Sequence, residues 1–560
     1  MRPQLVNRRI RLLLLTLLLA FAALLARAAW IQGVRASSLS QLATSQQHQT
    51  VTIPAGRGTI FDRMGVQLAL GEQATTVYAD PRQIRQPRRV AAVAARILGV
   101  DATSLYPRLA DRTHGFVYVQ RKADPTKASA LAKRRLPGLG FYAEERRSYP
   151  QHTVAAQVLG FAGVDNHGLD GLELQLDKQL SGRPGRQTIV KDPAGRAIDV
   201  VDQVAERQGR DVFLTLDHTI QANAEQVLRS TIAKWHAKAA TAIVLDPRTG
   251  GVLAMAVQPG YDANGFGRVG ADKQKNRAVT DVYEPGSVFK VVTVAGALSE
   301  GLVTPQTRFT LPYSLRVADR IVHDAELRGT ETMTVAQILE RSSNIGAITL
   351  AQMLGKDRLL KWIHRFGFGS PTGIDFPGES AGLLPGYWSG STIGNVPIGQ
   401  GISVTAVQLA SVYAAIANGG VWLQPHLVDH VQGLRPPKRV WRRIVSAAVD
   451  RELMAMLRGV VSDAGGTGSA AEIPGYVVAG KTGTAQMPDP RGGYASGKYV
   501  ASFVGIVPAN RPRLVIMVQV EEPHLAIFGG VVAAPAFQQI ASSALQYLEI
   551  PPDAPTPPVR

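Results

Sequence analysis

One apolar run constrains this chain more than any other feature. Residues Leu12 to Ala26 read LLLLTLLLAFAALLA, preceded by Arg2, Arg8, Arg9 and Arg11 with no acidic residue among them. At 1.5 Å per residue that stretch spans about 22 Å, short of a roughly 30 Å hydrocarbon core. Extension through Arg27 and Trp30 to Val34 makes it long enough, with Arg27 snorkelling and Trp30 at the interface. No second run of this kind follows, which excludes a multispan membrane fold. The basic start places the N-terminus in the cytoplasm and the rest outside. A cleaved signal peptide is the rival reading, since Ala26-Arg27-Ala28 fits a small-residue cleavage pattern. The residues beyond Ala28 keep helix-compatible character to Gln47, which favours an uncleaved anchor. Both readings export the chain.

Export changes what the composition means. Sixty-one Lys and Arg against 43 Asp and Glu leave a formal charge of +18. For an exported chain that surplus suits anionic phospholipid or wall polymer, and nucleic acid is not expected as a partner. With 45% hydrophobic and 19% charged residues in 560, the remainder is globular and large enough for several domains. Cysteine is absent. Disulfides, thiolate metal sites and thiol catalysis are therefore excluded, and any nucleophile is an oxygen or an amine.

Four segments separate along the sequence. Residues 1–46 hold the tail, the span and a Ser/Gln-rich juxtamembrane stretch. Residues 47–215 mix short strands such as Phe116–Gln120 with basic helices such as Pro87–Leu98 and carry no catalytic constellation. From 216 to 550 the pattern is that of an α+β domain. Asp217 caps a helix running from His218 to about Trp235, and Ala240–Val257 reads as a hairpin around Asp246-Pro247-Arg248-Thr249-Gly250. Val500–Val507 and Leu514–Val520 form a second hairpin, and Ala536–Tyr547 a closing helix begun by Pro535. Strands at both ends with helices between predict an antiparallel sheet completed by the domain's own termini. The proline-rich residues 551–560 read as a disordered tail.

The chemistry concentrates after residue 280. In EPGSVFKVVTVAGAL, Pro285-Gly286 breaks the preceding segment, and the helix beyond Ser287 is apolar on every face except Lys290 and Thr293. Such a helix is buried. Ser287 stands at its start with Lys290 one turn on, on the same face. Serine needs a neighbouring base to become a nucleophile, and lysine serves as one when burial depresses its pKa. The helix start adds free N–H groups for a developing oxyanion.

An S-x-x-K alone recurs by chance, and its plain reading is a lysine near a helix start. Two further patterns change the weighing. Ser342-Ser343-Asn344 opens another apolar helix, where either serine is also a plausible cap. Lys481-Thr482-Gly483-Thr484 follows Tyr476–Gly480, a run that reads as a strand. A strand of that composition lays its backbone beside an extended peptide and offers cationic and hydroxyl groups to a carboxylate, with Gly483 permitting close approach.

These three motifs in this order resemble those of the penicillin-binding proteins and class A β-lactamases. The chain is most similar to the class B penicillin-binding proteins, and among them to the cell-division, septum-specific D,D-transpeptidases. The likeness covers about residues 50–545. Arg57-Gly58-Thr59-Ile60-Phe61-Asp62-Arg63 and Gly168-Leu169-Asp170-Gly171-Leu172-Glu173 resemble family boxes. So do Asn276-Arg277 with Asp281–Ser287, and Gly399-Gln400-Gly401 with Thr405 and Gln408-Leu409-Ala410. Met64 and Asp170 depart from the family pattern, both outside the catalytic region.

The resemblance implies an anchor, a non-catalytic pedestal over 47–215 and a transpeptidase domain over 216–550 with a serine β-lactamase-like fold. It implies a catalytic set of Ser287, Lys290, Ser342 and Asn344, and a carboxylate-binding set of Lys481, Thr482, Gly483 and Thr484. The substrate would be a stem pentapeptide ending in D-Ala-D-Ala, with β-lactams as covalent inhibitors and no cofactor or metal. A membrane-embedded lipid II polymerase and other division proteins would be partners. The place would be the inner membrane, with the catalytic domain in the periplasm, enriched at the septum.

Alternatives stay open at this level. They are an elongation-type transpeptidase and a non-catalytic β-lactam sensor or scaffold. A class A β-lactamase needs an E-x-x-x-N arrangement that Glu379 does not supply. About 170 residues of pedestal are too few for a glycosyltransferase. His426 and His430 lack the accompanying carboxylates of a metal site.

Overall fold

A computed structural model describes residues 3–191, 197–489 and 491–553. Its contacts divide the chain into two compact units, 1–56 with 182–209, and 57–181 with 210–560. The grouping differs from a division by sequence order, because the segment 57–181 falls in with residues 210–560.

The first unit holds the helix Pro3–Ala29, a π-helical turn Trp30–Val34 and the helix Ala36–Gln47. Asn7–Val34 is long and apolar enough to cross a membrane, and none of its most apolar window is buried by protein. Leucines Leu12 to Leu25 stand exposed. Outside lipid that surface would be an aggregation hazard, and within lipid it is simply solvated. The unit ends in an antiparallel sheet of His48–Ile53, Gly185–Lys191 and Ala197–Val204, with Gly185–Lys191 in the middle.

In the second unit, five antiparallel strands form the central sheet. Their spatial order is Val252–Gln258, Ala239–Leu245, Leu514–Glu521, Tyr494–Val507 and Ala479–Pro488. Every residue of Ala239–Leu245 and Val252–Gln258 is buried, because both sheet faces are covered. Alternation along the strands sorts the side chains between two cores. Ile243, Leu245, Met255 and Met517 join one core with Val291, Val292, Leu350 and Leu409. Ala242, Val244, Ile516 and Val518 join the other with Leu228, Phe537 and Ile540. The helices Lys290–Ser299, Asn344–Arg365 and Ala406–Ala417 lie on the first side, and His218–Trp235 and Ala534–Tyr547 on the second. Asp217 caps His218–Trp235 by accepting from the N–H groups of Thr219 and Ile220.

A second sheet of the same unit runs Val428–Val431, Val212–Leu214, Ile60–Phe61, Gln67–Ala79 and Val117–Ala123, with Leu139–Ser148 also paired to Gln67–Ala79. Val428–Val431 reaches it from far along the chain, so a boundary near 215 cuts through a shared sheet. The two family boxes of the 57–181 segment meet in one buried ion network. Glu173 accepts from Arg57 Nε and Arg147 Nε, each at 2.6 Å, and Arg57 also reaches Asp177 at 2.6 Å.

Two local expectations change. The strand expected over Tyr476–Gly480 starts at Ala479 and carries Lys481–Thr484 within it. Of the expected tail, residues 551–553 are held in place. Asp553 accepts from the N–H groups of Val477 at 2.8 Å and Asn510 at 3.0 Å. Residues 554–560 lie outside the described residues.

Candidate active site

Ser287 lies in a 3₁₀ turn, Gly286–Phe289, that leads into the helix Lys290–Ser299. It is the one partly exposed residue between Glu284 and Leu298. Gly286 adopts φ +59°, and a Cβ there would stand 2.8 Å from the carbonyl oxygen of Thr484. Only glycine allows both the backbone conformation and the approach, and the approach sets Ser287 beside the Lys481–Thr484 strand. Tyr413 fixes the far side of the turn, its buried hydroxyl donating to Val288 O at 2.8 Å.

Lys290 is 1% exposed. Its Nζ donates to Asn344 Oδ1 at 2.7 Å, to Ser342 Oγ at 3.3 Å and to the carbonyl oxygen of Ser342. Burial pulls its pKa down to about 7, against the opposing pull of Asp324. The S-x-x-K and S-x-N motifs therefore meet at one amine that exchanges a proton near neutral pH. Ser287 Oγ makes no hydrogen bond within the described residues, and the hydrogen bonds of Lys290 Nζ are all on the Ser342–Asn344 side.

Sequence reading missed what holds Ser342–Asn344 in place. Asp324 is buried and accepts from Ser343 Oγ at 3.1 Å, from Asn344 N and from Ile345 N at 3.1 Å. Arg328 pairs with the same carboxylate. Ser343 is the helix cap, accepting from Gly346 N at 3.0 Å. Ser342, one residue earlier, adopts φ +60°, a left-handed conformation that costs a serine roughly 1–3 kcal/mol unless its surroundings impose it. That turn aims both the carbonyl and the hydroxyl of Ser342 at Lys290.

Lys481–Thr484 belong to Ala479–Pro488, the edge strand of the central sheet, leaving its outer backbone free for an added peptide strand. Lys481 is fully buried, its Nζ donating to Thr482 O at 3.2 Å. Burial first, and then the charge of Lys290, hold its pKa well below the usual lysine value. Thr482 Oγ1 lies 2.7 Å from Thr467 Oγ1, and Thr484 Oγ1 accepts from Gly529 N at 3.2 Å. A Cβ on Gly483 would meet Ser502 Oγ at 2.4 Å and both Pro285 O and Val288 Cγ1 at 3.1 Å, so this glycine faces the turn that carries Ser287. All eight residues singled out from sequence thus lie on three segments joined at one site. Asp324, Thr467, Ser502 and Gly529 belong to it as well, and no motif marks them.

The remaining candidates have other duties. Glu379 accepts from Thr372 N at 2.6 Å and Gly373 N at 2.9 Å, which makes it a loop brace. His430 stacks on Phe213 with centroids 4.5 Å apart, and His426 is buried against Gln424 O. Among the described residues one group of donors, Asp62, Asp217 and His218, is close enough for a cation. Asp62 and Asp217 Oδ1 are engaged by protein partners, while Asp217 Oδ2 is buried without a hydrogen bond, 3.9 Å from Arg63 Nη1. Asp62 accepts from His218 Nδ1 at 2.6 Å, and Asp217 Oδ1 caps the helix.

Comparison with known proteins identifies the family. Residues 240–542 match the penicillin binding protein transpeptidase domain, and residues 52–214 the penicillin-binding protein dimerisation domain. The chain belongs to the penicillin-binding proteins, with an α+β fold of that family. Within it the chain is of the class B, FtsI-like kind. It is 33% identical to the peptidoglycan D,D-transpeptidase FtsI of Escherichia coli K12, covering 98% of this chain and 93% of that protein. It is 34% identical to the probable peptidoglycan D,D-transpeptidase PenA of Neisseria meningitidis, covering 99% and 95%. The crystal structure of penicillin binding protein 3 from Mycobacterium tuberculosis complexed with aztreonam superposes with a TM-score of 0.69. Identity there is 32%, with 90% of this chain and 99% of that one covered. With one exposed helix among the described residues long and apolar enough to cross a membrane, the chain is a membrane-anchored member of the family.

Proposed function

We propose that this chain cross-links peptidoglycan as a serine-type D,D-transpeptidase of the division septum, and that β-lactams inhibit it by acylating Ser287. The observation that carries the reading is Lys290: a buried amine with its pKa near 7, bonded to Ser342 and Asn344, one helical turn after a partly exposed serine. In this reading Lys290 takes the Ser287 proton as Oγ attacks the penultimate D-Ala carbonyl carbon of a stem pentapeptide. The N–H groups of Ser287 and Thr484 hold the oxyanion. Ser342 returns a proton to the leaving nitrogen, the C–N bond breaks and terminal D-Ala departs. An amine of a neighbouring stem peptide then attacks the ester carbonyl and gives up a proton to Lys290, the C–O bond to Ser287 breaks, and that proton returns to Ser287 Oγ as the cross-link forms. Asn344 keeps Lys290 in place and contacts the substrate amide. Lys481, Thr482 and Thr484 bind the terminal carboxylate, with Gly483 leaving room for it.

The names of FtsI and PenA support the reaction, aztreonam on the mycobacterial relative supports the inhibitor class, and the FtsI likeness supports the septum. The exported reading of the N-terminus supports an inner-membrane anchor with the catalytic unit in the periplasm. A membrane-embedded lipid II polymerase and other division proteins are the partners that reading requires, since the 47–215 segment shows no polymerase site. Labelled penicillin should form a covalent adduct that peptide mapping finds on Ser287 and that Ser287→Ala abolishes. An adduct on Ser342 would overturn the assignment of roles.

A further inference from the structure

Glu284 sits three residues before Ser287, buried, with both carboxylate oxygens engaged. Oε1 accepts from Gly401 N at 2.9 Å and Oε2 accepts the hydroxyl proton of Tyr494 at 3.0 Å. Burial pushes its carboxyl above the usual range, so a carboxylate here is held against a desolvation cost. A locally unfavourable choice of this kind, beside a nucleophile, points to a role beyond packing.

The two partners lie on the other walls of the site. Gly401 follows Gly399, whose carbonyl accepts from Gly286 N at 3.1 Å, and a Cβ on Gly399 would stand 2.1 Å from Gly286 O. Tyr283 and Val404 exchange backbone hydrogen bonds at 3.0 and 2.9 Å. Tyr494 stands opposite Pro488 in the hairpin whose first strand carries Lys481–Thr484. One carboxylate therefore joins the nucleophile turn to the Gly399–Gly401 loop and to the hairpin of the carboxylate-binding strand.

We propose that Glu284 is a positioning residue. Through Tyr494 and Gly401 it sets where Ser287 stands against the Lys481–Thr484 strand, and so governs the acylation step and not the capture of the ligand. The proposal rests on the transpeptidase reading above. Displacements of about 1 Å at a reacting centre cost up to about 10²-fold in rate.

Rapid-mixing acylation of the full-length, detergent-solubilised protein by a fluorescent penicillin separates the two steps, with end-point labelling counting competent sites. Glu284→Ala should lower the saturating acylation rate per competent site by about 10- to 100-fold, while the half-saturating concentration moves less than about 3-fold. Glu284→Gln should recover most of that rate, because its amide oxygen still accepts from Gly401 and its NH₂ donates to the Tyr494 oxygen. Tyr494→Phe removes one hydroxyl and should lower the rate less. The double variant Glu284→Ala/Tyr494→Phe should be no slower than Glu284→Ala, since both changes break one connection. The proposal is overturned if the losses multiply, or if they fall on the half-saturating concentration. Full speed in Tyr494→Phe would also overturn it, and that variant carries the test should Glu284→Ala fail to fold. A wild-type protein that forms no adduct would strike the reaction assignment itself and the positioning role with it. Normal wild-type acylation with unaffected variants would strike the positioning role alone.

Discussion

Lys290 Nζ and Asn344 Oδ1 lie 2.7 Å apart, and the other end of the Asn344 amide donates to His323 O at 2.8 Å. Because the amide NH₂ is committed to a carbonyl, its oxygen faces the lysine, and Asn344 acts as an acceptor there. An acceptor suits both protonation states of the amine, so Lys290 can gain and lose a proton without losing its place. The role proposed above for Lys290, a base used twice in a reaction cycle, would require this.

The acylation rate should follow the deprotonation of Lys290. Its pKa is lowered from the ordinary lysine value to about 7, so the basic form dominates above that pH and is lost below it. At pH 6 about a tenth of the amine is neutral and at pH 8 about nine-tenths, so the saturating acylation rate should rise roughly 10-fold and then level off. Lys481 works in the opposite sense. Its protonated form is the one that binds a carboxylate and burial lowers its pKa, so ligand capture should weaken as pH rises. Measuring the two constants separately from pH 5.5 to 9 checks both signs. A saturating rate that is flat to pH 8 and climbs only above 9 would remove Lys290 as the base.

Asp324→Asn should shift that profile toward lower pH. The Asp324 charge is what props the Lys290 pKa up against burial, so removing it lets the lysine lose its proton more readily. The same change weakens the acceptor for Asn344 N and Ile345 N and removes the ion pair of Arg328, which keeps its hydrogen bonds to Leu311 O, Gly329 O and Pro312 O. Loss of a buried acceptor of this kind costs about 1–3 kcal/mol, to be read in the unfolding midpoint. A midpoint of the rate profile that moves upward would show that Asp324 does not act on Lys290 electrostatically.

Asp324 also shows where sequence reading ends. Ser287, Lys290, Ser342, Asn344 and Lys481–Thr484 were legible because each stands at the mouth of a buried helix or on a strand, where local pattern shows. The carboxylate that orders Ser342–Asn344 arrives from a loop between short strands, and an isolated aspartate carries no local signal. Most of the central sheet was legible for the same reason in reverse: the apolar runs within Ala240–Val257, Val500–Val507 and Leu514–Val520 mark four of its strands, while the polar start of Tyr494–Val507 gave no such signal. The pairing of Val428–Val431 with Val212–Leu214 was not, since two short strands that far apart meet only through tertiary packing.

Gly529→Ala should harm the site more than Gly483→Ala. A Cβ on Gly529 would fall 2.2 Å from Ser502 O and 2.3 Å from Gly483 O, both backbone atoms that cannot turn aside. A Cβ on Gly483 would meet the Ser502 hydroxyl, which can rotate, and its other contacts are at 3.1 Å. Overpacking against backbone costs about 1–3 kcal/mol or more, and here it pushes on the strand that carries Thr484. Thermal unfolding and penicillin labelling of the two variants should rank them in this order. Equal effects would mean that the edge strand yields.

Acylation should not depend on the anchor. Ser287, Lys290, Ser342, Asn344 and Lys481–Thr484 all lie in the second compact unit with both of its cores. A chain beginning at His48 loses the exposed leucines and keeps the strand His48–Ile53 with its sheet. That shortened protein should be soluble and should acylate with penicillin at close to the full-length rate. Cross-linking in a growing cell asks for more, because the proposed lipid II polymerase partner would deliver donor and acceptor strands at the membrane surface. Tethering raises the effective concentration of the active site there by up to about 10²–10⁴-fold without any new contact. As the only copy in the cell, an exported but unanchored protein should therefore bind antibiotic normally and still fail to support division. Growth at ordinary expression would show that tethering is dispensable, whereas lost penicillin labelling would place part of the catalytic fold before residue 48.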